Sequence, residues 1–330
     1  MRISDFTARI AAAGLLAALS ALPAASAYAQ AKWDMPTPYS PTSFHTENIK
    51  QFIADVEKAS GDKLKIAVHP GGSLLPGAQI KRAVQAGQVP IGEILISNLA
   101  NEDPIFGIDT IPFVAASYAD ARKLWEASRT ITTERLARQG ILLLYAVPWP
   151  PQELYTNKPI NSVADLKGLK FRAYNVATAR LAELAGMQPV KIELADLPQA
   201  MITGGIQAHI TSSSGGCDSK AWESTKIVYD TQGWVPKNMV FANQKAFAGL
   251  DKNIQNAMVS AASSAEARGW KMSEEGNKQC LELLASRGMQ VIKPSPQLMS
   301  ELRKFGDTMA SEWLKDAGPD GKATLDAFRK

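Results

Sequence analysis

From Asp251 to Arg287 the chain contains no proline and keeps apolar side chains at helical spacing, interrupted only by Gly269 and Gly276. A helix of that length outruns the few turns usual in a globular domain, so it predicts an element that braces two lobes. The preceding segments supply the material for those lobes. Residues 44–60 repeat Phe44, Ile49, Phe52, Ile53 and Val56 at helical spacing, and 64–68 alternate as a strand after a Gly61-Asp62 turn. Helices over 78–87 and 119–139, with strands over 90–96 and 141–145, continue the strand–helix rhythm of an α/β fold.

Pro148, Pro150 and Pro151 flank Trp149 in a segment that cannot be helical and that divides the chain. Beyond it, Leu169, Phe171 and Ala173 alternate with Lys170, Arg172 and Tyr174, the period of a half-buried strand. Asn175 is a natural N-cap for a helix that stops at Gly186. A strand over 189–194, a helix over 197–203, a strand over 206–211 and a Ser/Gly loop over 212–216 complete this second unit. Residues 237–243 form a strand returning toward the first unit; a last short strand over 288–292 precedes helices after Pro296. The expected organisation is lobe I over 32–150 and 240–287, lobe II over 151–239, and a C-terminal strand and helices over 288–330 packing mainly on lobe II.

Arg2 and Arg9, an apolar run over 10–22 and the small-residue sequence Ala27-Tyr28-Ala29 form a secretory signal peptide, with residues 1–31 expected to lie outside the fold. The exported chain then stays out of the membrane. Net charge is +4, and +3 without Arg2, Asp5 and Arg9. Its Lys and Arg are dispersed among acids, with no basic block of the kind that binds nucleic acid. The two cysteines, Cys217 and Cys280, are too few for a disulfide scaffold, and spacing leaves a single bond or two buried thiols equally open.

Reactive constellations are absent from the sequence. His45, His69 and His209 have no metal-ligand spacing, neither cysteine has a C-x-x-C partner, and the phosphate, dinucleotide and nucleophile-elbow motifs are missing, so no metal and no cofactor is expected. Binding features are more evident. A guanidinium matches a carboxylate in geometry, and Arg172 stands at the carboxyl end of a strand, where ligands gather in open α/β sheets. Composition and pattern alone favour a surface ion pair for Arg172 over a ligand clamp. Thr211, Ser212 and Ser213 follow another strand and offer hydroxyl and backbone donors.

The runs VHPGGSLLPG over 68–77, AVQAGQVPIG over 83–92, IPFV over 111–114 and DLKGLKFR over 165–172 resemble, in order and spacing, the signature segments of TRAP-type transporter solute-binding proteins. The resemblance extends over nearly the whole chain after residue 31. It implies a two-lobed periplasmic binding protein fold with a hinge, a long helix spanning both lobes and no enzymatic activity. It also implies an organic acid ligand paired with Arg172, and delivery of that acid to membrane permease subunits. Two departures bear on the ligand. In IQAHIT over 206–211, Thr211 takes the position of a ligand-contacting Asn, and Gln152 falls near the point where sialic-acid-binding members carry a second Arg.

One cation among neutral donors favours a monocarboxylate, a 2-oxo or 2-hydroxy acid, or an aromatic acid over a C4-dicarboxylate, whose second charge needs its own partner when desolvated. Trp149 and Trp234 are expected as rigid walls, with Gln152, Asn175 and Asn238 as polar neighbours; Trp222 and Tyr229 are expected in the core. An exported serine hydrolase using residues 211–214 with His209 and Asp218 is the alternative from another class. It requires a nucleophile–base pair that the sequence does not display.

Overall fold

The computed structural model describes residues 30–330, so the signal segment up to Ala29 lies outside the described residues. Ala31, assigned from sequence to the signal, instead opens strand β1 (Ala31–Pro36), which pairs in parallel with β2 (Leu64–His69). Its amide donates to the Lys63 carbonyl at 2.9 Å, while Trp33 and Met35 alternate into the core. Helix α1 (Phe44–Ala59) lies between these strands in sequence and buries Ile49, Phe52, Ile53 and Val56, as its apolar spacing requires. Helix α2 (Gly77–Gln85) leads into β3 (Ile91–Leu95), and α3 (Tyr118–Ala137) leads into β4 (Ile141–Pro148).

The second lobe is a six-stranded mixed sheet in the order β11-β9-β5-β8-β6-β7. Its strands are β5 (Gln152–Thr156), β6 (Lys170–Ala173), β7 (Gln188–Lys191), β8 (Ala208–Ser212) and β9 (Ile227–Tyr229), with β11 (Gln290–Ile292) added late in the chain. Helix α4 (Val176–Leu184) joins β6 to β7 and α5 (Leu197–Ile202) joins β7 to β8. The Ser/Gly segment expected as a loop is a helix, α6 (Ser213–Asp218). Ser212 caps it by accepting from the Gly215 amide at 3.1 Å, a local bond that turn-forming serines make equally well at a helix start.

Strand β10 (Lys237–Asn243) returns to the first lobe, as its pattern predicts, and pairs antiparallel with both β3 and β4. The outgoing and returning segments run side by side: the Trp149 amide donates to the Pro236 carbonyl at 2.8 Å, and the Gln152 amide to the Trp234 carbonyl at 2.9 Å. The short helix α7 (Gln244–Ala248) follows, then the long α8 (Lys252–Ser286), which packs on α1 and β4 and farther along on α6. Cys217 and Cys280 are joined as a disulfide between α6 and α8, with Cα atoms 5.9 Å apart. After β11, the helix α9 (Pro296–Arg329) is interrupted at Gly318 (φ +59°) ahead of Pro319. Sequence places it mainly on the second lobe, but its contacts are divided. It packs on α3 and the Pro104–Thr110 turns as well as on α4, where Arg180 holds Glu312 at 2.7 and 3.0 Å.

Candidate functional site

A cavity of about 270 Å³ opens between the lobes beside the crossing segments. Tyr39, Leu95 and the Gly71-Gly72 turn line it from the first lobe, Arg172, Tyr174 and Thr211 from the second, and Trp149 and Gln152 from the crossing itself.

Arg172 reaches the cavity from β6, an interior strand between β7 and β8, and is 4 % exposed. Its Nε donates to the Ile192 carbonyl at 2.9 Å and its Nη1 to the Ile210 carbonyl at 3.2 Å, so two backbone oxygens fix the guanidinium plane. Its carbon lies 4.9 Å from the centre of the Tyr174 ring. Among the described residues no carboxylate comes within ion-pair distance of it; exposed Glu193 at the cavity rim acts on it only through the field. Burial pulls its pKa below the ordinary value, yet a guanidinium keeps its proton in a protein. A desolvated cation without its own anion is what a carboxylate ligand would complete.

Gln152 and Tyr174 are tied together beside it. The Tyr174 hydroxyl donates to Gln152 Oε1 at 3.2 Å and accepts from Trp234 Nε1 at 3.1 Å, while Gln152 Nε2 donates to the Pro150 carbonyl at 3.2 Å. Across the cavity, Trp149 Nε1 donates to Asn238 Oδ1 at 2.8 Å, and the Tyr39 hydroxyl donates to the same oxygen at 3.1 Å. Asn238 Nδ2 donates in turn to Glu93 Oε1 at 3.0 Å, and Thr37 donates to Glu93 Oε2 at 2.6 Å. Burial drives the Glu93 carboxyl up to about 7, with those two donors opposing the shift.

The residues expected at the site therefore fall into two groups. Arg172, Trp149, Gln152, Thr211 and Ser212 line the cavity. Asn238 lies one bond behind it through Trp149 and Tyr39. Trp234 stands behind Tyr174 and lines a narrow apolar cavity of about 20 Å³ with Leu154, Ile210 and Leu302. Asn175 caps α4 by accepting from the Thr178 amide at 2.9 Å and spends its own amide on Ser97 at 2.9 Å. Ser213 turns to α8, where its hydroxyl donates to Asn277 at 2.6 Å. Tyr229 is in the core, where its hydroxyl accepts from the Ile160 amide at 2.7 Å, and Trp222 packs half-buried under Arg287.

Tyr39, Tyr174, Leu95 and the rim residue Glu193 line the cavity without having been singled out. Tyr174 was within reach, because strand alternation sets it on the face of Arg172. Tyr39 was not, because it sits in a proline-rich stretch without a period. The hydrolase constellation does not assemble. Both ring nitrogens of His209 lack a hydrogen-bond partner among the described residues, and Ser212 and Ser213 are bonded elsewhere.

Two α/β lobes joined by paired crossing segments, with a buried cation facing the cavity between them, define a solute-binding receptor. The chain belongs to the bacterial extracellular solute-binding proteins of family 7, whose profile it matches over residues 37–316. DctP6 of Bordetella pertussis, an extracytoplasmic solute receptor that binds pyroglutamic acid, is 48% identical and superposes with a TM-score of 0.89 over 90% of this chain and 99% of that one. DctP7 of the same organism, which also binds pyroglutamic acid, is 43% identical with a TM-score of 0.90 over 91% and 99%. A marine metagenome TRAP solute-binding protein specific for pyroglutamate is 43% identical with a TM-score of 0.89 over the same shares. Members of this family are solute receptors and not enzymes. Among the described residues no helix is long and apolar enough to cross a membrane.

Proposed function

We propose that this chain captures a small monocarboxylic acid in the periplasm through a salt bridge to Arg172, closes over it about the crossing segments, and delivers it to the permease subunits of a TRAP transporter. The observation that carries the reading is the buried Arg172 guanidinium, oriented by two carbonyls and lacking a carboxylate of its own among the described residues. Pyroglutamate, a five-membered lactam with one carboxylate, is the preferred ligand. Three relatives at 43–48% identity bind it, and a cavity of about 270 Å³ suits a ligand of that size.

Gln152, Thr211 and Ser212 serve as neutral polar contacts and Trp149 as a wall; Trp234, through Tyr174, positions Gln152 and Asn238 positions Trp149, whereas Asn175 and Ser213 are bonded away from the cavity. A C4-dicarboxylate suits the site less well. Among the described residues Arg172 is the sole basic one on the cavity lining, and Glu193 and Asp196 at its rim would repel a second carboxylate. A thermal-shift screen over pyroglutamate, 2-hydroxy acids, 2-oxo acids, aromatic acids and C4-dicarboxylates tests the assignment. Bound ligand raises the melting temperature by mass action, so pyroglutamate at about 100 times its Kd should stabilise the protein by about 2.7 kcal/mol. Stabilisation by dicarboxylates alone would overturn it.

A further inference from the structure

We propose that Tyr39 presents a hydrogen-bond acceptor to the ligand, so that the site selects acids carrying an N–H or O–H donor besides the carboxylate. The hydrogen bonds behind the cavity fix which atoms donate and which accept. An indole nitrogen can only donate, so the 2.8 Å contact from Trp149 Nε1 fixes which end of the Asn238 amide is oxygen. The other end agrees, since Asn238 Nδ2 faces Glu93 Oε1 at 3.0 Å, and Glu93 also accepts from Thr37. With Asn238 Oδ1 settled as an acceptor, the Tyr39 hydroxyl 3.1 Å away must be the donor to it. A phenol has one proton, and this one points away from the cavity.

What Tyr39 then offers the cavity is the lone-pair side of its oxygen. Burial and the field of Glu93 keep the phenol protonated, so it stays a neutral acceptor. Its backbone is pinned as well. The amides of Gly71 and Gly72 donate to the carbonyls of Tyr39 and Thr37 at 2.6 and 3.0 Å, from a turn whose φ values of +66° and +71° call for glycine. Arg172 and the hydroxyls of Thr211 and Ser212 on the second lobe supply donors, which suit a carboxylate; the Tyr39 side supplies the complement. A ligand with an acceptor there would bury two lone pairs against each other.

The inference rests on the carboxylate lying at Arg172, as proposed above. Two pairs of acids that differ in this one group test it: pyroglutamate against 5-oxotetrahydrofuran-2-carboxylate, in which ring oxygen replaces N–H, and lactate against pyruvate. Calorimetry on the wild-type protein should show the donor acid binding about 10-fold or more tightly than its partner, in whichever pair binds. In Tyr39→Phe the preference should shrink to about 3-fold or less, through weaker binding of the donor acid. Equal wild-type affinities within a pair, or a preference untouched in Tyr39→Phe, would overturn the proposal, and the wild-type comparison does not depend on the variant folding. Binding of the lactate pair without pyroglutamate would remove pyroglutamate as the ligand and leave the role of Tyr39 standing. Loss of the carboxylate role of Arg172 would show separately, as undiminished affinity in Arg172→Ala.

Discussion

His209 lies behind Arg172, paired with it in the register of β6 and β8, and its ring stacks on Tyr155 at 4.7 Å and 13°. Neither ring nitrogen has a hydrogen-bond partner among the described residues. Burial, seconded by the Arg172 charge, lowers its pKa to about 3. Such a histidine is protonated in the unfolded chain below about pH 6.5 but not in the folded one, so stability is lost as pH falls from there toward 3. Between pH 7.5 and pH 5 that loss is about 2 kcal/mol. Glu93 works in the opposite sense, its stability present below the ordinary carboxyl range and lost as pH rises toward about 7. A comparison with His209→Phe cancels the Glu93 contribution and any fixed packing cost. Urea denaturation at the two pH values should show the variant losing about 2 kcal/mol less than wild type on acidification, and equal losses would contradict a neutral buried His209. The sequence placed His209 in the strand over 206–211, which the structure bears out in β8. It gave no means of seeing that the ring lies against Tyr155, since that contact joins two strands far apart in the chain.

At the scale of elements, the long helix was the most legible feature, and its glycines were the least explained. Gly269 lies where α8 crosses β4 and α1: a Cβ there would collide with the Val147 side chain and sit 2.7 Å from Asn48 Nδ2. In an isolated helix Gly→Ala is worth up to about 1 kcal/mol in favour of alanine. Here the close approach reverses the sign, and Gly269→Ala should destabilise the protein by about 1–3 kcal/mol in chemical denaturation. A neutral or stabilising result would mean that the helix shifts freely over β4. Strand β1 escaped notice because its alternation of Trp33 and Met35 abuts the small residues of the signal segment, so no polar turn marks its start. Helix α6 escaped because serine and glycine are poor helix formers; what holds it is tertiary, the disulfide to α8 and the Ser213–Asn277 bond.

Across the whole molecule, the alternating strand and helix patterns and the break at Pro148–Pro151 were enough to expect two lobes, and the signature around Arg172 pointed to the family. On the far side of the cavity Asn238 was named from sequence, but its partners Tyr39 and Glu93 were not legible, because they belong to separated segments that only the folded chain brings to it. The central claim is that Arg172 holds the ligand carboxylate. Isothermal calorimetry of pyroglutamate binding to wild type and Arg172→Ala, with unfolding of both ligand-free proteins followed in parallel, tests it most directly. Removing one member of a buried ion pair costs about 3–5 kcal/mol, so the variant should bind at least about 100-fold more weakly while its ligand-free stability is not reduced. A Kd in Arg172→Ala within about 3-fold of the wild-type value would contradict the account.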